Sequence, residues 1–239
     1  MLPLSDDNSD MQTTPWVNYM VIGLNIFVFV FLQGFGGNDA FTNSFSAVPQ
    51  EILSGKDFAG AVPITAGGGT ATLHLGETPI PVYLTLFTSM FMHGGFAHIA
   101  GNMLYLWIFG DNLEDRMGHL KYLFFYLFCG VVAGLSHVFC TAFGGGNTLI
   151  PSLGASGAIS GVLGGYMLLF PNRHVTVLFW RQVMSVPAYV CLGMWILFQL
   201  ADSSGMLGGS SEGGGVAYAA HIGGFITGLL LVRLFARAD

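Results

Sequence analysis

A serine and a histidine in two separate apolar stretches could together attack a peptide bond. Ser156 stands at the start of an apolar run that continues to Phe170, and His221 lies near the start of another apolar run. A serine hydroxyl needs a neighbouring base to take its proton during attack, and a near-neutral imidazole can do this. Free backbone N–H groups at a helix N-terminus can also hold a developing oxyanion. We therefore predict that Ser156 is a nucleophile and His221 its general base.

Two further polar residues could stabilise the negative charge that such an attack creates. His98 and Asn102 are four residues apart, so a helix places them on one face. Both can donate hydrogen bonds, which predicts an oxyanion hole that also includes the backbone N–H of Ser156. Plainer interpretations stay open, because Ser156 could cap a helix and the other three side chains could bond neighbouring helices together.

Metal-dependent and carboxylate-dependent chemistry are both disfavoured. His93 and His98 are five residues apart, no carboxylate accompanies them, and the chain has no His-Glu-x-x-His motif. We therefore predict neither a metal nor a cofactor. The apolar stretches hold no acidic residue, which argues against an aspartyl protease and leaves Ser156 and His221 as a dyad without a third member.

The composition indicates a membrane protein. The 239 residues are 53% hydrophobic and 8% charged, against about 25% charged in an ordinary soluble domain. The absence of a basic patch argues against a nucleic-acid partner. The three cysteines lie in apolar runs without metal-type spacing and are interpreted as small hydrophobic residues. We predict an all-α, polytopic membrane protein whose partner is the lipid bilayer.

The apolar stretches predict six membrane-spanning helices within a membrane-embedded domain at residues 16–236. The predicted spans are residues 16–35, 96–109, 122–143, 155–170, 188–200 and 216–235. Residues 1–15 are polar and lack the basic region and cleavage site of a signal peptide, so they predict a loosely ordered cytoplasmic tail. Residues 36–95 predict a long, partly structured outer loop, residues 111–116 a charged turn and residues 203–215 a Gly/Ser-rich loop.

Charge bias and small residues orient and pack these spans. With six spans, every basic residue except Lys56 lies on one side: Arg116, Lys121, Arg173, Arg181, Arg233 and Arg237. The positive-inside rule makes that side cytoplasmic, together with both termini, and brings the candidate site residues to the outer face.

Small residues recur every fourth position on spans four and six, which predicts close approach of these two helices; they are Gly157, Gly161, Gly165, Ala220, Gly224 and Gly228.

In order and spacing, these motifs resemble the rhomboid intramembrane serine proteases. The resemblance covers residues 16–234 and rests on Gly154-Ala155-Ser156-Gly157, His98-x-x-x-Asn102, Ala220-His221-x-x-Gly224 and Glu114-Asp115-Arg116, the last similar to the family's short Glu-x-Arg motif. It implies a six-helix bundle with a water-accessible cavity open to the outer face. It also implies cleavage of single-pass membrane proteins near the membrane boundary, without cofactor or metal. Ser156 and His221 would be catalytic, His98 and Asn102 would stabilise the oxyanion, and Glu114 and Arg116 would be structural.

The chain departs from the family pattern at one position that bears on the site. Ser160 stands where some members carry an aromatic residue against the base, so we expect packing on Gly157 and Gly161 to orient His221 instead. Two other functional classes were weighed. A catalytically silent relative that binds membrane helices would be expected to lose Ser156 or His221. A transporter is disfavoured because no inverted repeat is visible. The lack of an organelle-targeting segment favours a prokaryotic plasma membrane.

Overall fold

The computed structural model describes residues 1–66, 69–203 and 214–237, and the fold is mostly helical. The α-helices are α1 (Trp16–Phe27), α2 (Asp39–Phe45), α3 (Pro49–Ser54), α4 (Thr85–Thr88), α5 (Phe96–Met117), α6 (His119–Phe143), α7 (Ser156–Leu169), α8 (Ala188–Ser203) and α9 (Gly214–Phe235). A π-helical turn, Val28–Leu32, extends α1. The strands are β1 (Leu2–Asp6), β2 (Gly60–Ala66), β3 (Gly69–Leu75), β4 (His174–Phe179) and β5 (Gln182–Pro187).

Helix α7 is the centre of the bundle. Its residues 157–166 are all buried, and α5, α6, α8 and α9 pack around it. Helix α1 packs against α5 and α6 on the outside of this group. Its glycines let the neighbouring helices approach closely, which favours the central position of α7.

Glycines let α7 and α9 approach until their backbones touch. A side-chain carbon at Gly224 would overlap the carbonyl oxygen of Gly157, and one at Gly228 would overlap the carbonyl oxygen of Gly161. Only a residue without a side chain fits at such a contact. The predicted close packing of the fourth and sixth apolar stretches therefore occurs, and Gly224 and Gly228 make it possible.

Two glycines of α7 also lie against α6. A side-chain carbon at Gly161 would lie 2.6 Å from Sγ of Cys129 on α6, and one at Gly157 would lie 2.7 Å from Cβ of Ala133 on the same helix. Gly157 and Gly161 therefore touch α9 through their backbone carbonyls, as predicted, and also leave room for α6. Their predicted role in orienting His221 stays a prediction.

The N-terminal segment is ordered, contrary to the prediction of a loose tail. Strand β1 pairs antiparallel with β4, with Leu2 opposite Leu178 and Asp6 opposite Val175. Strand β4 pairs in turn with β5, which leads directly into α8. The tail looks unstructured in the sequence because its partner strand lies about 170 residues further along the chain.

The predicted charged turn at residues 111–116 is also wrong, because α5 continues to Met117. The structure supplies partners for these charges: Asn8 donates a hydrogen bond of 2.9 Å to Asp111, and the backbone N–H groups of Val17 and Asn18 donate to Glu114. A charged segment can stay helical at the end of a bundle when its carboxylates accept hydrogen bonds there.

Strands make the prediction of an all-α fold only partly right. Besides the sheet β1-β4-β5, the hairpin β2–β3 lies with α2, α3 and α4 in the long loop at residues 36–95. Most of the Gly/Ser-rich loop predicted at residues 203–215 lies outside the described residues.

Two of the described helical stretches are long and apolar enough to cross a membrane, His119–Phe143 and Tyr218–Phe235. Shorter apolar stretches of 10–17 residues are Trp16–Leu32, Val82–Phe91, Ser156–Leu169 and Ala188–Ala201. The six-span arrangement therefore stays a prediction.

Candidate active site

The structure brings Ser156 and His221 together. Ser156 is the first residue of α7, and His221 lies in the second turn of α9. The Nε2 atom of His221 is 2.8 Å from Oγ of Ser156. This distance allows the hydroxyl to donate its proton to the imidazole, which is the geometry required of a nucleophile and its general base.

A third side chain continues this chain of contacts, and the sequence analysis missed it. The Nδ1 atom of His221 lies 2.7 Å from Oε1 of Gln199, near the end of α8. Gln199 is a polar residue at the end of an apolar stretch, as Ser156 and His221 are, and that signal could have identified it. The sequence predicted a dyad because its apolar runs contain no carboxylate, whereas Gln199 contributes a neutral amide beside His221.

Aromatic rings from α8 and α9 flank the imidazole. The ring centroids of Trp195 and His221 are 6.0 Å apart, and those of Tyr218 and His221 are 6.3 Å apart in an edge-to-face arrangement. Ser160, at the position where some family members carry an aromatic residue, donates a hydrogen bond of 2.6 Å to the backbone carbonyl of Ser156. The aromatic rings beside the His221 imidazole therefore come from α8 and α9, whereas Ser160 on α7 bonds to its own helix.

His98 lies close to the segment that precedes the serine, with one ring nitrogen near Gly154. The backbone N–H of Gly94 donates to Nδ1 of His98 over 3.3 Å, so Nδ1 acts as an acceptor and the ring proton belongs on Nε2. A side-chain carbon at Gly154 would lie 2.8 Å from that Nε2, and Gly154 has a φ of +122°. Glycine is needed there both for the backbone conformation and for the approach of His98. The N–H of His98 thus points to the segment just before Ser156.

Asn102 faces the same space and has an unused donor. Its side chain is 8% exposed, and its Nδ2 atom has no hydrogen-bond partner among the described residues. A cavity of about 350 Å³ is lined by Asn102 together with Ser156, His221, His98 and Gln199. Since His98 is also solvent-exposed, the cavity reaches the protein surface. A buried amide N–H without a partner costs stability, so its presence beside a cavity suits a group that awaits a ligand atom.

His93 is a buried neighbour of the site. Its side chain is fully buried, and its ring lies 5.1 Å from that of His98. Burial, with a smaller contribution from His98, lowers the pKa of His93 to about 4, so the ring is neutral. Within the described residues, no group of three His, Cys, Asp or Glu side chains is arranged to hold a metal ion.

Glu114 and Arg116 lie far from the serine, at the opposite end of α5. The fully buried Glu114 accepts hydrogen bonds of 2.9 and 2.6 Å from the backbone N–H groups of Val17 and Asn18 in the first turn of α1. The carbonyl of Arg116 accepts a hydrogen bond from the backbone N–H of Arg237, just after α9. These contacts join helix ends; the structural role of this motif stays a prediction.

Comparison with known proteins identifies related sequences. A family model described as the rhomboid domain matches residues 81–238. Rhomboid protein 1, mitochondrial, of Saccharomyces cerevisiae is 33% identical over 147 residues, covering 62% of this chain and 40% of that protein. Rhomboid protease GluP of Bacillus subtilis is 28% identical over 210 residues, covering 87% and 35%. The human presenilin-associated rhomboid-like protein, mitochondrial, is 31% identical over 148 residues, covering 62% and 36%.

The chain thus spans well under half the length of these three relatives. The matched residues 81–238 cover more than half of this chain and include Ser156, His221, His98 and Asn102. The resemblance seen in the sequence is therefore confirmed, and the chain belongs to the rhomboid family of membrane proteins.

Proposed function

We propose that this chain is an intramembrane serine endopeptidase that cleaves the transmembrane segments of single-pass membrane proteins near the outer membrane face. The observation that carries the proposal is the 2.8 Å contact between Nε2 of His221 and Oγ of Ser156, at the edge of a cavity of about 350 Å³. Membership of the rhomboid family and the similarity to a relative named as a rhomboid protease support this reaction class.

In the first step, Oγ of Ser156 attacks the carbonyl carbon of the scissile bond while Nε2 of His221 takes the hydroxyl proton. The carbonyl oxygen becomes an oxyanion as the tetrahedral intermediate forms. The Nε2–H of His98, the free Nδ2–H of Asn102 and the backbone N–H of Ser156 are the donors that would stabilise it. The carbon–nitrogen bond then breaks, and the imidazolium gives its proton to the leaving amine.

Water completes the reaction. After the amine product leaves, the acyl group is an ester of Ser156, and a water molecule must reach its carbonyl carbon. The volume of about 350 Å³ is large compared with the roughly 30 Å³ that one water occupies in the liquid. His221 takes a proton from this water and returns it to Oγ of Ser156, which releases a carboxylic acid. Every proton transfer uses His221, so the mechanism requires no cofactor.

Six crossings of the membrane by α1, α5, α6, α7, α8 and α9 are part of the proposal. Helix α7 has 14 residues and is about 21 Å long, whereas a hydrocarbon core is about 30 Å thick. Its 25-residue neighbour α6 is about 37 Å long. With α6 spanning fully, Ser156 at the start of the shorter helix would lie below the outer surface, within reach of a transmembrane segment.

The orientation follows from the positive charges. Arg116, Arg233 and Arg237 line one pocket at the end of the bundle opposite Ser156, which supports a cytoplasmic location of that end and of both termini. Substrate helices and lipid are then the expected partners. The relatives include mitochondrial proteins and one from a bacterium, so the family occurs in more than one kind of membrane. A prokaryotic plasma membrane stays a prediction.

The test is cleavage of a single-span test substrate by the purified protein in liposomes, beside Ser156→Ala. Cleavage by the wild type alone would support a protease whose nucleophile is Ser156. Cleavage by both proteins would exclude Ser156 as the nucleophile. Cleavage by neither protein, with the substrate still bound, would contradict the proposal and favour a catalytically silent helix-binding relative.

A further inference from the structure

Gln199 completes a line of three side chains that ends at the nucleophile. Its Oε1 atom lies 2.7 Å from Nδ1 of His221, whose Nε2 atom lies 2.8 Å from Oγ of Ser156. The three residues come from three different helices, α8, α9 and α7. Since Ser156 and His221 already suffice for proton transfer, the contact with Gln199 requires its own explanation.

The chemistry of imidazole gives that explanation. To accept the proton of Ser156, His221 must have a free lone pair on Nε2, so its single ring proton must be on Nδ1. That Nδ1–H needs an acceptor, and the side-chain oxygen of Gln199 is one. A histidine without this partner could adopt the other tautomer or turn its ring, and either change would remove the base from Ser156.

We propose that Gln199 is a positioning residue, which holds His221 in the Nδ1–H tautomer and in the ring orientation that presents Nε2 to Ser156. This inference rests on the proposed protease function and extends it to α8. It also explains how the site works with Ser160 in place of an aromatic residue, since orientation comes from a hydrogen bond and from Trp195 at a ring distance of 6.0 Å.

The position of Gln199 on α8 supports this role. Gln199 and Trp195 are four residues apart and therefore lie on the same face of the helix, the face that meets α9. One helix thus supplies both the hydrogen-bond acceptor and the ring that flank the imidazole. A neutral amide also has a lower desolvation cost than a carboxylate in an apolar bundle, because burying a charge costs far more than burying a dipole.

Replacing Gln199 with two side chains of similar size distinguishes a role in orienting His221 from a role in packing. Gln199→Met keeps the length and volume of the side chain but removes the acceptor. Gln199→Glu keeps an acceptor oxygen at the same position. Leu197→Met, on the exposed surface of the same helix, controls for the introduction of a methionine into α8. Melting in detergent is measured for all three variants, so that a folding defect is recognised.

Two activities are measured on the full chain. The first is kcat and KM for a single-span substrate in liposomes, and the second is the rate of labelling by a small fluorophosphonate, which reacts with activated serine hydroxyls and needs no entry of a substrate helix. We expect Gln199→Met to lower both kcat and the labelling rate about 10- to 100-fold, the range seen when a partner that orients a functional histidine is lost. KM should stay within twofold, and Gln199→Glu should restore most of the lost rate.

The outcomes distinguish this inference from the proposed function. A wild-type protein that neither cleaves nor reacts with the fluorophosphonate would contradict the function itself. An active wild type with Gln199→Met equally active would overturn the positioning role alone. A rise in KM with unchanged labelling would also overturn it, because Gln199 would then act on substrate. If Gln199→Met and Gln199→Glu lose the same amount of activity and melt normally, Gln199 does not act by accepting a hydrogen bond from His221.

Discussion

The two ends of helix α7 both carry polar networks, but the networks differ in charge and in access. At the N-terminal end, the neutral side chains of Ser156, His221 and Gln199 line an open cavity. At the other end, Tyr166 donates a hydrogen bond of 2.6 Å to Asp6, which binds β1 to the bundle. We call the first group, with the neighbouring His98 and Asn102, the Ser156 network. We call the second group the N-terminal network, because it holds the N-terminal strand β1; it comprises Asp6, Asn8, Asp111, Asn112, Tyr166 and Arg173.

The difference shows how a catalytic network can be told from a structural one. In the N-terminal network, acids have partners from other elements: Asn112 also donates to Asp6, and Arg173 contacts both Asp10 and Asn112. In the Ser156 network, Asn102 keeps a donor without a partner among the described residues, and the side chains face a cavity. A network that is saturated holds elements together, whereas one with an unused donor and open space can bind a reacting group.

The largest expected effect separates the two ends directly. Ser156→Ala and His221→Ala should each abolish cleavage, because nucleophile and base act as one unit, while leaving the melting temperature nearly unchanged. Tyr166→Phe, at the other end of the same helix, should do the reverse by lowering the melting temperature and leaving kcat intact. Cleavage assays and thermal melting of the three variants test this. Loss of folding in both the Ser156→Ala and the His221→Ala variant would mean that the Ser156 network is chiefly structural.

Asn102→Ala tests the unused donor. Removing one oxyanion donor costs about 10²–10³-fold in kcat, and we expect a loss in that range with unchanged melting, since Nδ2 makes no hydrogen bond to any residue that the structure describes. Asn18→Ala is the matched control, because its amide donates to the carbonyl of Leu106 and accepts from Tyr122. That variant should lose stability. Unchanged turnover in Asn102→Ala would remove this residue from the site.

Gly228→Ala tests whether the candidate active site depends on the contact between α7 and α9. The added carbon would overlap the backbone of Gly161, so we expect a destabilisation of about 1–3 kcal/mol and reduced activity. Gly193→Ala on α8 makes the same change where no atom lies within 4 Å, and it should stabilise by up to about 1 kcal/mol through helix propensity. Equal melting temperatures for the two variants would contradict the close packing.

The smallest expected effect concerns the N-terminal network. Burial, with a smaller contribution from Asp111, raises the pKa of Asp6 from 3.8 to about 7, against the opposing hydrogen bond from Tyr166. A raised pKa favours the protonated carboxyl in the folded state, so this contribution to stability is complete below pH 4 and is lost as the pH rises through 7. Hydrogen exchange of the β1 amides, corrected for intrinsic rates, should therefore show faster opening at pH 8.5 than at pH 5.5.

Asp6→Asn provides the control for this pH effect. The amide cannot ionise, so the corrected opening rates of β1 should become equal at the two pH values. Cleavage activity should not change, since Asp6 lies at the end of α7 remote from Ser156. A pH dependence that persists in this variant would assign the titration to another group.

The candidate residues were accessible to sequence reasoning for a simple physical reason. A polar group costs free energy in an apolar helix unless it has a partner or a function, so Ser156, His221, His98 and Asn102 stood out against their surroundings. Gln199 obeys the same rule, but its role depends on its distance from His221. That distance arises only when α8 and α9 pack together.

By itself, the sequence determined the family, the mostly helical fold and the residue types able to perform the chemistry, because apolar runs and isolated polar residues are local properties. Only the tertiary structure decided that Gln199 meets His221, that α7 is central and that β1 pairs with β4. These contacts join segments far apart in the chain, where no local pattern specifies a partner. Close packing selects the partner, since helix backbones can touch only where both surfaces fit.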